Sequence, residues 1–441
     1  MKWAALGPVV LLALAACAAP VPPEPTPRPV PAPQPPSPIA TPVVVQVVQT
    51  VVPYDPGMPA IVVRTLASPR PVGLPLSVLA GRSGADVRVL LDRLLQEQSF
   101  LTALGMDAAS NARLDELLGV SSALDQSSIV LAEVLWAIKG QPAAESFLGA
   151  WRGQNADLIR YAQGQPGPAS SDLGQRGSAI AAQSALGDLS ASLIDDLLRT
   201  RNQAQLGLAD ATISRNQLEV SRRVRDVAKS SDEIGRPPAA AIASEVPNQA
   251  PAPTAGPEVD VRLGLNRLLV EHAYLTGAAV EAAADGRVLD AQARVDAAND
   301  SADELGQQLA NVWGPELGSA LADRVRAETA ALVVLASGGN RAQAAADLDR
   351  LRGEIDGLLS GINPLLPKGL LSQQLRPIDQ SMLAASGAFA SRDFSTAYAR
   401  LREAARQTQK PADTVALSII DRFPGRYLRL PTPVPTDAAP G

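Results

Sequence analysis

The stretch Asp86–Ala109, DVRVLLDRLLQEQSFLTALGMDAA, returns as Asp260–Ala283, DVRLGLNRLLVEHAYLTGAAVEAA, with about half of the positions identical. In both copies the apolar side chains fall three and four residues apart: Val87, Leu90, Leu91, Leu94, Leu95 and Leu101 in the first, Val261, Leu265, Leu268, Leu269 and Leu275 in the second. That spacing lays an apolar stripe along one face of a helix. Each copy therefore opens a helical module.

The likeness continues past the first helix. Trp136 before Gly140 parallels Trp313 before Gly314, Ser214-Arg215-Asn216 parallels Ser391-Arg392-Asp393, and Arg223, Arg225 and Asp226 parallel Arg400, Arg402 and Glu403, at offsets of 174 to 177 residues. A period held over that length predicts two tandem, internally duplicated bundles, each of four longer helices plus shorter ones. Composition agrees: 46% of the 441 residues are hydrophobic but only 3% are aromatic, and cores of Ala, Leu and Val suit close helix packing. The fold class expected is all-α.

Breakers set the boundaries. The first module is expected over residues 84–235, with helices at Ala112–Lys139 and Ala143–Gln163, a break at Gly164–Pro168, and further helix from Asp172 to Ser192 and on to Lys229. Residues 236–257, with Pro237, Pro238, Pro247, Pro251, Pro253 and Pro257, read as a linker separating two domains. The second module is expected over 258–424, in helices Asp260–Ala284, Val288–Trp313, Glu316–Ser337, Arg341–Ser360, Leu370–Ser391, Phe394–Gln409 and Ala412–Arg422, followed by a Pro-rich tail over 425–441.

The N-terminus carries a different signal. Met1 and Lys2 precede an apolar run from Trp3 to Ala16 that is too short to span a bilayer but has the basic start and small-residue end of a secretory signal. Leu14-Ala15-Ala16-Cys17 resembles the lipobox of bacterial lipoproteins, and Cys17 is the only cysteine. The resemblance implies cleavage before Cys17 and lipidation there, with enough acyl chains for stable anchoring. Localisation is then outside the cytoplasmic membrane, with that membrane or an outer membrane as the anchor. Without a second cysteine no intramolecular disulfide can form. Residues 18–83 read as a spacer: Pro20–Pro42 is polyproline-II-prone, and the β-branched stretches 43–52 and 60–66 read equally as short strands or a sticky stalk.

Net charge is −6, with acidic and basic residues alternating along the helices, so no basic face marks a nucleic-acid site. These charges, including Asp300, Asp303 and Glu304 and the group Asp347, Asp349, Glu354 and Asp356, read as solvated faces without the loop that calcium needs. No nucleophile elbow, phosphate loop or dinucleotide fingerprint occurs. His272 is the only histidine and sits on the apolar stripe of its helix, either as a ligand inside the bundle or as a core histidine bonded to a neighbour; its counterpart is Gln98. Trp151 and Arg152, following Phe147, read as a ligand or interface anchor or as core. Trp313 is a further candidate at an interface. Neither a catalytic set nor a metal or cofactor site is expected.

Taken together, Leu268-Leu269-Val270-Glu271-His272 with Leu275, Trp313-Gly314-Pro315-Glu316, Phe147 with Trp151-Arg152 and Tyr161, Asn363-Pro364 through Pro367, and Arg392-Asp393-Phe394 through Tyr398 resemble exported bacterial helical-repeat proteins of unassigned function. Several helices in that group carry a histidine; here the matching positions hold Gln98, Gln154, Glu328, Ile378 and Gln407, which puts a histidine-based metal site or oxidase chemistry in doubt. The sequence thus leads to a non-enzymatic, lipid-anchored scaffold that binds an envelope protein partner. The alternative is a small-ligand or metal-binding lipoprotein built around His272.

Overall fold

Every helix of the first half has a counterpart in the second. The computed structural model describes residues 79, 82–245 and 253–428. It runs through α1 (Gly84–Ser110), α2 (Leu114–Lys139), α3 (Gln141–Ala162), α4 (Pro166–Ser184), α5 (Ala191–Ile213), α6 (Gln217–Lys229) and α7 (Ser231–Glu245). It then repeats as α8 (Pro257–Ala284), α9 (Val288–Trp313), α10 (Pro315–Ala336), α11 (Arg341–Ile362), α12 (Leu370–Ala390), α13 (Phe394–Gln407) and α14 (Gln409–Arg422), with one closing turn, α15 (Pro424–Tyr427). A shift of 174 residues carries α1, α2 and α3 onto α8, α9 and α10, and a shift of 177 carries α5, α6 and α7 onto α12, α13 and α14. The chain is all-α, with no strand among the described residues.

The repeated motifs are turn chemistry. Gly140 and Gly314, at φ of 82° and 98°, end one helix and begin the next in a conformation open to glycine. Arg215 and Arg392 sit in the left-handed region at φ of 55° and 61°. The residues after them close the turn twice over. Their backbone N–H groups donate back to Ala211 and Ala388, and the Asn216 and Asp393 side chains cap the next helix at Glu219 and Thr396. Because the glycines align at 174, Trp313 stands opposite Lys139, and Trp136 lies a turn earlier than the sequence parallel placed it.

Two breakers behave differently from their reading. The helix after Gly164 starts at Pro166, since proline is tolerated in a first turn whose N–H groups have no intrahelical partner. The expected linker is helical as far as Glu245, with Pro237 and Pro238 inside α7. Proline there removes two ladder bonds, and the burial of Ile234, Ala239 and Ile242 against α1 offsets that cost. At the other end, Tyr427 is buried and holds the start of the expected tail against the second module. Cys17 and the signal, most of the spacer, residues 246–252 and the tail beyond 428 lie outside the described residues.

The modules are not separate domains. One core cluster takes Phe100, Met106, Leu208 and Val224 from the first and Tyr274, Leu332, Phe389 and Leu401 from the second. α1 and α8 lie side by side in the same direction, because equivalent residues meet along them. Asp86 pairs with Arg262 at 2.7 Å and Arg88 reaches Asp260 at 3.7 Å, Val89 packs with Val259, and the Phe100 and Tyr274 rings stack at 5.3 Å. The sixth helices are exchanged: α6 packs on α9, and α13 packs on α2. Gly119 makes room for α13, since a Cβ there would lie 2.6 Å from that of Phe394. α2 is also long and apolar enough to cross a membrane, but its apolar positions face α1, α3 and α13 as a core helix's would.

Asp300, Asp303 and Asp349 are exposed as read, but the charges at this joint are not a solvated face. α1 is buried nearly all round, and its charged side meets the other module. Glu97 binds Arg402 at 2.7 Å, and in the equivalent exchange Glu271 binds Arg225 at 2.6 Å. At the far end Asp107 and Glu281, which are counterparts, share Arg294 at 2.5 Å each, with Arg113 and Arg287 beside them. Arg294 and Arg113 hold the Asp107 carboxyl down to about 2 against the effect of burial, whereas burial and the Glu281 charge raise Glu116 to about 7. Asp356 is also buried, accepting from the N–H groups of Gly369, Leu371 and Ser372 at the start of α12.

Candidate functional site

Each module has a void between its opening helix and the helices around it, and equivalent residues form the upper walls of the two. Leu91, Leu95, Leu131, Leu135 and Phe147 line the first, and their counterparts Leu265, Leu269, Leu305, Leu309 and Leu321 line the second. The first measures about 100 Å³ and is apolar throughout. The second measures about 120 Å³ and runs on to His272, Thr276, Thr329, Glu328 and Asp379.

The difference comes from side-chain size. In the first module Trp151, 2% exposed, closes the lower half, stacked on Phe147 at 5.3 Å and covered by the Arg201 guanidinium at 5.4 Å. The counterparts of Trp151 and Arg201 are Val325 and Ile378, both on the cavity wall. Smaller side chains leave open the space that the indole and guanidinium fill.

His272 keeps a fixed tautomer at this wall. Its Nδ1 lies 3.2 Å from the Ala298 carbonyl and so donates to it, leaving Nε2 to accept from the hydroxyls of Thr329 at 3.2 Å or Thr276 at 3.4 Å. Burial lowers its pKa to about 4, so the ring is neutral near pH 7. Gln98 reproduces the arrangement, donating to the Leu124 carbonyl at 3.3 Å and accepting from Asn155 at 3.2 Å and Trp151 at 3.1 Å. His272 is thus a bonded side chain that also faces the cavity. Among the described residues no three His, Cys, Asp or Glu side chains are grouped to hold a metal ion.

The reactive end of the cavity is acidic. Burial, reinforced by the Asp379 charge, pushes Glu328 well above the usual carboxylate range, and Arg352 opposes this only in part. Burial likewise raises Asp379 to about 6, although Arg352 donates to it. Arg352 also pairs with Asp349, so one guanidinium serves several carboxylates. A protonated Glu328 both donates and accepts a hydrogen bond at the end of an apolar chamber, and an ionised one accepts only.

Of the candidate ligand or interface residues His272, Trp151, Arg152 and Trp313, His272 alone lines this cavity. Trp151 belongs to the first module's core, Arg152 points away to pair with Asp125 at 2.5 Å, and Trp313 packs half-buried at the end of α9. The motif positions at which histidines are missing were the better guide, because Glu328 and Ile378 both line the cavity. Asp379 carried no signal beyond its charge. No protein-family model matches this chain, and comparison with curated proteins and with solved structures gives no match.

Proposed function

We propose that this protein is a non-catalytic, exported binding protein, anchored through lipidated Cys17, whose second module holds a small, mostly apolar ligand bearing one hydrogen-bond-donating or cationic end. The observation that carries this reading is the asymmetry of the duplicated cores, where Val325 and Ile378 open a chamber that Trp151 and Arg201 fill in the other copy. A chamber of about 120 Å³ is close to the engineered apolar cavity of about 150 Å³ that stays dry and takes up benzene. Apolar walls supply the binding free energy, and the Glu328–Asp379 end selects the head group. A carboxylate head is disfavoured there, since two acidic groups already share Arg352.

Native mass spectrometry of the full chain from its own host tests the proposal. A reproducible small added mass, lost in Val325→Trp, is expected; bare polypeptide in every preparation contradicts it. The anchoring part is tested separately, since Cys17→Ala should move the protein from the membrane fraction to the soluble one. Retention of that variant on the membrane would refute lipid anchoring.

The scaffold reading has support of its own in the core cluster that both modules share, which ties them together for a partner in the envelope.

A further inference from the structure

Buried arginines in this fold are paired with one exception. Arg88, Arg294 and Arg352 each meet a carboxylate. Arg201 is 1% exposed and meets none among the described residues. Its Nη2 donates to the Ser99 hydroxyl at 3.2 Å and the Leu95 carbonyl at 3.4 Å, while its Nε has no partner. Burial lowers its pKa only to about 10, so the group stays cationic at neutral pH. The Trp151 ring lies over the guanidinium and offsets part of its charge. An unpaired charge in such a site remains costly by several kcal/mol.

The neighbouring amides are also without partners. Gln205, one turn further along the same face of α5, and Gln154, one turn beyond Trp151 on α3, each have both amide atoms buried and unbonded. The residues corresponding to Gln154, Arg201 and Gln205 are Glu328, Ile378 and Met382, and all three line the cavity of the second module described above. The duplication therefore directs the three polar side chains toward one place. Orphaned donors beside an unpaired cation call for a bound partner that accepts hydrogen bonds and carries negative charge.

We propose that the core of the first module binds one small monovalent anion, held by the Arg201 Nε–H and the amide N–H groups of Gln154 and Gln205. This site is independent of the second module's cavity and carries the opposite charge preference.

Bromide is the probe. The full chain is followed by thermal unfolding as sodium bromide replaces sodium fluoride at constant ionic strength, and bromide-soaked crystals are examined by anomalous scattering. A saturable rise in Tm and an anomalous peak beside Arg201 are expected, with both lost in Arg201→Met. Gln205→Met, which copies Met382 and keeps the volume, should weaken bromide affinity about tenfold, the loss of roughly one hydrogen bond to a charged group. That variant decides the matter if Arg201→Met does not fold. An absent peak in the wild-type crystal, a Tm indifferent to the anion, or unchanged affinity in Gln205→Met would overturn the site.

Discussion

The two modules share a backbone plan and differ in what their cores contain. In the first, a tryptophan, an unpaired arginine and a set of glutamines and asparagines fill the space below the apolar void. In the second, valine and isoleucine leave that space open, and its end is lined with a histidine, two threonines and two carboxyl groups. The helices, the turns at Gly140 and Gly314 and at Arg215 and Arg392, and the upper void walls correspond, so the difference between the voids is carried by a few side chains at equivalent positions. A duplicated fold can thus hold two voids of similar size, one apolar and one ending in polar and acidic groups, without changing its main turns. Part of the joint between them treats both copies alike, with reciprocal pairs Glu97–Arg402 and Glu271–Arg225, while Arg294 comes from the second module alone.

The largest expected effect lies in that joint. Arg294→Met leaves Asp107 and Glu281 buried without their shared cation, and breaking a buried ionic cluster by removing one partner costs about 3–5 kcal/mol. Urea unfolding should show the loss in a single transition for both modules, since the largest core cluster takes residues from both. Two separate transitions would mean that the modules are independent and would dissolve the comparison.

A smaller effect sharpens the contrast between the cores. Glu328→Gln installs the amide that the first module carries at Gln154. Burial raises Glu328, so the folded state holds its proton at pH values where the unfolded state has released it. Its contribution is therefore present at low pH and is lost as pH rises through the folded value. The variant should be more stable than the wild type at pH 8, with the advantage shrinking toward pH 5. His272 works in the opposite sense: with its pKa lowered to about 4, stability falls as pH drops below about 6.5. A pH-independent difference between variant and wild type would place Glu328 in water.

How far the sequence carried is clear from particular residues. The duplicated opening helix, the glycines at 140 and 314, and the Ser-Arg-Asn and Ser-Arg-Asp turns were legible because helix periodicity and capping are local. The exchange of α6 and α13 was not, because Arg225 and Arg402 look like ordinary exposed helix charges until their partners Glu271 and Glu97 are placed 46 and 305 residues away. Pro237 and Pro238 misled for a related reason, since tertiary burial overrides a strong local breaker. His272 was visible as the sole histidine, but the chamber beside it depends on Val325 and Ile378 being small, which shows only when the copies are aligned on the structure. Arg201, inconspicuous in the sequence, matters because it lacks a carboxylate.

Calorimetric titration of the full chain with pentylamine tests the hollow second module most directly, using pentanoate as the matched carboxylate and Val325→Trp as the filled control. Pentylamine should bind in one-to-one ratio and tighten as pH rises, because the ammonium end is accommodated when Glu328 releases its proton. Pentanoate should not bind, and Val325→Trp should abolish the amine signal while leaving the fold intact. Equal binding of amine and carboxylate, or undiminished amine binding in Val325→Trp, would contradict the assignment of the chamber.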